Sequence, residues 1–476
     1  MSSAQVAVVS LAQLPDSQRS RSDSSTSFFA HDDSIVSPSR AAHAAMAPSA
    51  IVPLQHHVAP VPGPQVEVND SKALISRALR GRVARVDIDG CAPGGEDPFF
   101  VADMGEVYRQ HKRWKLNIPR VEPFYVLTIL AVKCNSDKKV LKLLAQLGTG
   151  FDCASKKEID AVLDLGVPAS RIIYANPCKT ASYIRYAAQR DVRKMTFDNA
   201  DELYKVKRYF PEAELFLRII TDDSASLCQL SNKYGAPMSV VPDLLRLARD
   251  LELNVTGVSF HTGSGASRSE PFIEAIENAR KVFDLALEFG FDLKCLDIGG
   301  GFGNSTFENI ASVVGPCIDK HFPSTVRVIA EPGRYYVASA FTLACHVIAR
   351  RTVMQPEEAY MIYLNDGVYG NMNCILYDHQ HPVPRVLTHK NKFMYNQPGN
   401  ATGSKVTSVW GPTCDGLDCI SERCSLPFAL DVGDWMYFED LGAYTLSAST
   451  GFNGFNDNCE VVYVCSEKGA KSLLCE

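Results

Sequence analysis

The chain has no apolar run approaching the ~20 residues that a membrane-spanning helix needs, so no helical membrane span is expected. It has no block of like charge either. Its 48 Lys and Arg against 54 Asp and Glu leave a net charge of −6 spread over mixed signs, which gives no reason to expect nucleic acid or an anionic membrane surface as partner. No Cys-x-x-Cys or His-x-x-x-His spacing occurs, and no metal site is expected. An even set of cysteines is also missing. There are 15, and Cys153, Cys178, Cys295 and Cys345 fall within expected strands or helices, a pattern of reduced thiols in a cytoplasmic protein rather than of a disulfide framework. No internal repeat shows beyond one regular alternation. What remains is 476 residues at 46% hydrophobic and 21% charged composition, enough for two domains.

Residues 1–66 are rich in Ser, Ala and Pro without periodicity and read as a disordered tail. A mitochondrial presequence is the alternative, given Arg19, Arg21 and Arg40. Asp16, Asp23, Asp32 and Asp33 weigh against it. A short helix is expected over Ser71–Arg82, and strand-like Gly81–Asp89 could complete a later sheet, so residues 67–99 are taken as a segment pairing with the second domain. Pro98-Phe99-Phe100-Val101-Ala102-Asp103 opens a helix through Trp114. Val126–Val132 reads as a buried strand ending at Lys133. From there helices alternate with strands over residues 150–153, 171–175, 194–197, 215–220, 255–260, 293–298 and 326–330. With the strand before Lys133 these make eight, which is what a closed (β/α)8 barrel needs, assigned to residues 100–337. Beyond Tyr336, β-branched and aromatic runs with Gly-rich turns indicate an all-β domain over 338–476.

Polar residues mark the carboxyl ends of the expected strands, where such barrels place their active sites: Lys133, Asp152, Arg218, His261, Gly299-Gly300-Gly301 and Glu331. A lysine at a strand end is most often a solvated charge. Partial burial lowers its pKa, the condition for an amine to attack a carbonyl. The glycine run can bring bare N–H groups to an anion, and Arg334, three residues past Glu331, suits a phosphate. Amine, phosphate cradle and carboxylate are the three contacts of pyridoxal 5'-phosphate. His261 could lie flat on its ring, although a lone histidine is more often a satisfied core residue.

Pro123-Phe124-Tyr125, Ala131-Val132-Lys133-Cys134-Asn135, Gly150-Phe151-Asp152-Cys153, the Ser259–Gly265 run, Asp297-Ile298-Gly299-Gly300-Gly301-Phe302 and Ala330-Glu331-Pro332-Gly333-Arg334 together resemble the eukaryotic ornithine decarboxylases. These are barrel-fold, pyridoxal-phosphate-dependent enzymes of the ornithine, lysine, arginine and diaminopimelate decarboxylase class, with an arrangement like that of alanine racemase. The resemblance runs from about residue 85 to about 465. It implies that Lys133 forms the Schiff base, His261 stacks on the ring, Glu331 pairs with the ring nitrogen, and Asp152 and Arg218 lie near the ring's polar edge. It implies that Ser264, Gly300, Gly301, Gly333, Arg334 and Tyr444 hold the cofactor's phosphate end. It further implies that Tyr377 and Asp378 meet the substrate, and that Cys414 (a proton donor) and Asp415 come from the neighbouring subunit of a homodimer. The implied reaction is decarboxylation of L-ornithine to putrescine, the first step of polyamine biosynthesis. A lysine or other basic amino-acid decarboxylase, or an inactive regulator like the antizyme inhibitors, are the other readings. Antizyme is a possible partner.

One departure stands out. The family runs straight from Phe-Tyr into Ala-Val-Lys, whereas Val126-Leu127-Thr128-Ile129-Leu130 intervene here. The expectation is that Thr128-Ile129-Leu130 takes over as the strand, with 123–127 pushed out at the barrel's far end; a mis-spliced product is the other reading.

Overall fold

A computed structural model describes residues 68–126, 134–354, 358–397, 405–455 and 459–475. The expected tail, the inserted residues after Val126 and Lys133 lie outside the described residues.

Eight parallel strands close into a barrel: Val121–Val126, Gly150–Cys153, Ile172–Tyr174, Lys194–Phe197, Glu214–Arg218, Asn254–Ser259, Cys295–Asp297 and Arg327–Ala330. The last pairs with the first in the register Val328↔Val121 and Ala330↔Pro123. These strands are short and almost wholly buried, because each is covered inside by its neighbours' side chains and outside by helices. Phe124, Ile173, Ala175, Phe216, Cys295 and Ile329 fill the interior. The helices present apolar stripes to the strands, and side-chain caps fix where several of them start. In Lys138–Gln146, Val140, Leu141, Leu143 and Leu144 are buried, and the Asp137 carboxylate accepts the Lys139 and Val140 N–H groups. Ser155 and Asn199 cap the helices Lys156–Leu163 and Ala200–Tyr209 in the same way.

The first strand departs from expectation. Pro123, Phe124 and Tyr125 keep their place in it, paired as Phe124↔Gly150, Tyr125↔Phe151 and Val126↔Asp152. Complementarity decides the register. The Phe124 ring lies over Gly150, where a Cβ would come within 2.4 Å of it. Tyr125 is fully buried, donates from its hydroxyl to the Asn135 carbonyl at 3.1 Å, and meets Tyr336 edge-on. A shift of the strand would remove both contacts. The described chain leaves off at Val126 and resumes at Cys134 beside the same residue, since a Cβ on Gly333 would lie 3.2 Å from Val126 Cβ and 3.0 Å from Cys134 Cβ. Gly150→Ala should therefore cost ~1–3 kcal/mol through overpacking, read as a lower urea midpoint at unchanged slope.

Eight further strands form a second sheet, six of them in the order Arg385–Val386, Trp435–Phe438, Phe341–Met354, Glu358–Leu364, Lys405–Trp410, Cys419–Leu426. Its other two strands are Phe99–Asp103, antiparallel to Phe341–Met354, and Glu460–Val464, parallel to Phe99–Asp103. Two expectations are corrected here. Phe99–Asp103 is a strand of this sheet instead of a helix start, because all five residues are buried and their aromatic and β-branched side chains pack on both faces. The helix begins at Met104, where the Asp103 carboxylate accepts the Gly105 N–H. Gly81–Asp89 is not a strand. The first helix runs Val68–Val83 and gives way to turns, and Phe99–Asp103 occupies the sheet position foreseen for it.

Where helix Met104–Asn117 meets the segment after the eighth strand, His111 is buried with its Nδ1 3.0 Å from the Tyr336 hydroxyl. Burial, then Lys115 and Lys112, push its pKa down to about 4. The unfolded chain thus binds a proton that the folded chain refuses, so stability is full above pH ~6.5 and falls as pH drops from there towards 4. His111→Gln should flatten that acid arm by on the order of 3 kcal/mol, measured as the pH dependence of the urea midpoint.

Candidate active site

The carboxyl ends of the barrel strands open onto a cavity of about 510 Å³, a size typical of small-molecule sites. Asp152 comes from the second strand and Arg218 closes the fifth. His261 lies two residues beyond the sixth, Gly300 and Gly301 follow the seventh, and Glu331, Gly333 and Arg334 follow the eighth. All line the cavity, joined by Ser264, Tyr377, Asp378 and Tyr444. The one expected lining group that cannot be placed is Lys133. Cys414 and Asp415 are not among the lining residues.

Local bonding holds each group. His261 Nδ1 accepts the Gly263 N–H at 3.0 Å, which leaves the proton of the neutral ring on Nε2. That nitrogen lies 2.7 Å from where a Gly300 Cβ would stand, so only glycine admits the ring there. Gly301 has φ +107°, a backbone that favours glycine, and a Cβ on it would come within 2.6 Å of Thr262 Oγ1. The Arg218 guanidinium stacks over the Tyr234 ring at 5.4 Å. Glu331 is 7% exposed and donates its backbone N–H to the Gly299 carbonyl at 2.6 Å.

Arg334 decides how one wall of the cavity is charged. Its Nη2 donates to both Asp378 oxygens at 2.5 Å and to Ser264 Oγ at 3.2 Å, and its guanidinium sits 4.9 Å over the Tyr444 ring. Its Nε is buried and donates to no acceptor among the described residues. A buried cationic donor without an acceptor, beside a serine hydroxyl and a cradle of glycines, fits a phosphate. The Glu331 acid and the His261 imidazole on the same cavity fit a pyridine ring. The residues present therefore suit pyridoxal phosphate.

The cavity also holds residues that the motifs did not single out. Cys228 donates from Sγ to Asp378 Oδ1 at 3.4 Å, and burial, with Asp378 adding, pushes its pKa up to about 11. It stands on a small two-stranded antiparallel sheet, Ser226–Cys228 against Ser264–Ala266, that no sequence period reveals. Lys233 and Tyr234 line the wall after Arg218. Asp297, which heads the glycine run at the end of the seventh strand, is 1% exposed and is not among the residues lining the cavity.

The loop Trp410–Asp418 is wound around one buried carboxylate. Asp418 accepts the Val368 N–H at 2.8 Å, the Thr413 N–H at 3.0 Å and the Thr413 hydroxyl at 2.7 Å. This turns Cys414 and Asp415 outward. Cys414 is exposed, with its N–H on Asn453 Oδ1. The Tyr369 hydroxyl donates to the Asp415 carboxylate, and that bond, seconded by the Leu417 N–H, holds the acid below the usual carboxylate range. Exposed Leu417 and Phe452 flank the pair.

The comparisons with known proteins agree with this geometry. Residues 104–338 match the family described as "Pyridoxal-dependent decarboxylase, pyridoxal binding domain". The ornithine decarboxylase of Neurospora crassa is 54% identical over 431 residues, covering 85% of this chain and 88% of that protein. Antizyme inhibitor 2 of Xenopus laevis is 51% identical over 378 residues, covering 76% and 80%. Among solved structures, the Paramecium bursaria Chlorella virus arginine decarboxylase bound to agmatine superposes with a TM-score of 0.73 at 32% identity, covering 83% of this chain and 100% of that one. With the cavity built as it is and identity above half over most of both chains, this chain belongs to the ornithine decarboxylase family of pyridoxal-dependent decarboxylases.

Proposed function

We propose that this protein decarboxylates L-ornithine to putrescine and CO2 with pyridoxal phosphate, as a homodimer whose two cavities are each completed by Cys414 and Asp415 of the other subunit. The observation that carries the reading is the convergence of Glu331, His261 and the Arg334–Ser264 cradle on one cavity that also holds the Asp378 carboxylate. Lys133 would bind the cofactor's aldehyde, Glu331 its ring nitrogen, and Gly300, Gly301, Ser264, Arg334 and Tyr444 its phosphate end. When bound, the cofactor supplies the electron sink for the pair left at Cα as CO2 departs.

The chain's own groups do the rest. Asp378 and Asp415 give a distal ammonium two carboxylate partners, a selective match for a diamine end. Cys414 would return a proton to Cα. The exposed Cys414–Asp415 loop, rimmed by Leu417 and Phe452, is the kind of surface a second subunit covers.

The Xenopus likeness raises the alternative of a regulator without activity, and the arginine decarboxylase raises that of another substrate. The residues assigned above to the cofactor and to the distal ammonium all stand in this chain, which favours the enzyme and a short diamine product. Release of labelled CO2 from ornithine, lysine and arginine by the purified protein separates the three readings. Ornithine should exceed lysine by about 10–200-fold in kcat/KM, the worth of one methylene. A faster lysine or arginine reaction would replace the substrate assigned here, and no CO2 from any of them with cofactor bound would favour the regulator.

A further inference from the structure

A run of glycines can present N–H groups to an anion only if something holds it still, because glycine has more conformational freedom to lose than any other residue. Most of the run is held by neighbouring strand ends. The Gly299 carbonyl accepts the Glu331 N–H at 2.6 Å, and the Gly301 carbonyl accepts the Ala266 N–H at 3.0 Å. Its far end, at Asn304, is held from outside the cavity by Arg113, a residue that the assignments above leave without a role.

Arg113 stands near the end of helix Met104–Asn117 and is not among the lining residues. Its Nη2 donates to the Asn304 carbonyl at 2.7 Å. The same guanidinium forks onto Glu308, with Nε donating to Oε1 at 2.5 Å and Nη2 to Oε2. Glu308 lies in the first turn of Phe307–His321, the helix into which the glycine loop runs. The guanidinium also covers the Phe307 ring at 5.2 Å and the Tyr335 ring at 5.7 Å. Tyr335 directly follows Arg334, and its hydroxyl donates to the Gln110 carbonyl on the Arg113 helix at 2.9 Å. One side chain thus backs both pieces of the cradle, the loop after the seventh strand and the segment after the eighth.

A solvated Arg–Glu pair is worth little. This one is different in kind. The Arg113 side chain is only 25% exposed, and a backbone carbonyl, a carboxylate and two ring faces fix the plane of its guanidinium. A lysine would supply a donor but neither the fork nor the flat face.

We propose that Arg113 is a positioning residue that locks the glycine loop and the Arg334 segment into one rigid phosphate cradle. It acts from behind, through Asn304, Glu308 and Tyr335, and never meets the phosphate itself. This deepens the assignment of the cofactor's phosphate to that cradle and rests on it.

The test compares two probes on the full chain freed of cofactor, pyridoxine 5'-phosphate and pyridoxine, by isothermal titration. Neither has an aldehyde for Lys133 to attack, so the ratio of their dissociation constants isolates the phosphate. Arg113→Met should shrink that ratio by about tenfold, the low end of what losing a support behind a liganding group costs at metal sites. Pyridoxine binding itself should stay unmoved, and Arg113→Lys should recover part of the ratio. General loosening of the fold would weaken both probes alike, so an unchanged ratio in folded Arg113→Met overturns the proposal. Should Arg113→Met fail to fold, Glu308→Gln at the more exposed end of the pair should shrink the ratio by about threefold, the scale of a partly exposed ion pair. An unchanged ratio there overturns the proposal equally. If the wild type binds both probes alike, the assignment of phosphate to this cradle is what fails, and the role of Arg113 falls with it.

Discussion

A Glu331→Gln chain should fold, keep its cofactor, and lose turnover by about 10²–10³-fold. That factor is the usual worth of one oriented electrostatic partner of the transition state. The glutamine is nearly isosteric, and its backbone N–H would keep the bond to Gly299. What disappears is the charge. An amide can face a ring nitrogen but cannot hold it protonated, and an unprotonated ring accepts the electron pair from Cα less readily. Binding depends mainly on the anion cradle, where Arg334 Nη2 and Ser264 Oγ stand 3.2 Å apart and the glycines make room for an anion. The loss should accordingly fall on kcat, with the cofactor's dissociation constant nearly unchanged. Steady-state kinetics with a cofactor titration distinguishes these, and near-normal kcat would remove Glu331 from its role.

An equally large effect is expected from pairing two dead variants. Lys133→Ala and Cys414→Ala chains should each be almost inactive alone. After subunit exchange about a quarter of wild-type activity should return: random mixing makes half the dimers mixed, and each mixed dimer has one of its two sites free of both defects. The outward turn of the Cys414 loop is the structural ground for this, since the thiol is exposed and absent from its own chain's cavity lining. Native mass spectrometry confirms that exchange took place. Mixed dimers that form and stay silent would place Cys414 and Lys133 of one chain in the same site, against the shared-site reading.

The barrel was readable because its signals are local. Each strand is a short apolar run, and several end at or beside a polar residue whose type already suggests chemistry, as with Asp152, Arg218 and Glu331. Whether a given apolar run is strand or helix is set by partners far away in the chain. Phe99–Asp103 precedes an amphipathic helix and merges with it in sequence, while its true partners are Phe341–Ala344 and Glu460–Val464. The register of the first barrel strand is hidden from the local sequence for the same reason, because the ring-over-glycine contact of Phe124 with Gly150 lies across two strands. In the site, the motifs named most of the lining. They could not show that Arg334 grips Asp378 or that Cys228 joins them, since those are relations between loops of different strands.

The pairing of Phe99–Asp103 with Glu460–Val464 has a consequence for how the chain is made. The two strands lie side by side in parallel, yet more than three hundred residues separate them. A ribosome delivers Phe99–Asp103 early, and one edge of that strand has no mate until residues 460–464 emerge. The barrel, whose neighbouring strands follow one another closely in sequence, can close first. The sheet is finished only on release, as a post-translational step with a large loop to close. An uncovered apolar strand edge during that interval is a site for mispairing between nascent chains. Ending the chain before Glu460 would make that interval permanent, so such a truncation should drive the protein into aggregates even though every cavity-lining residue precedes the cut.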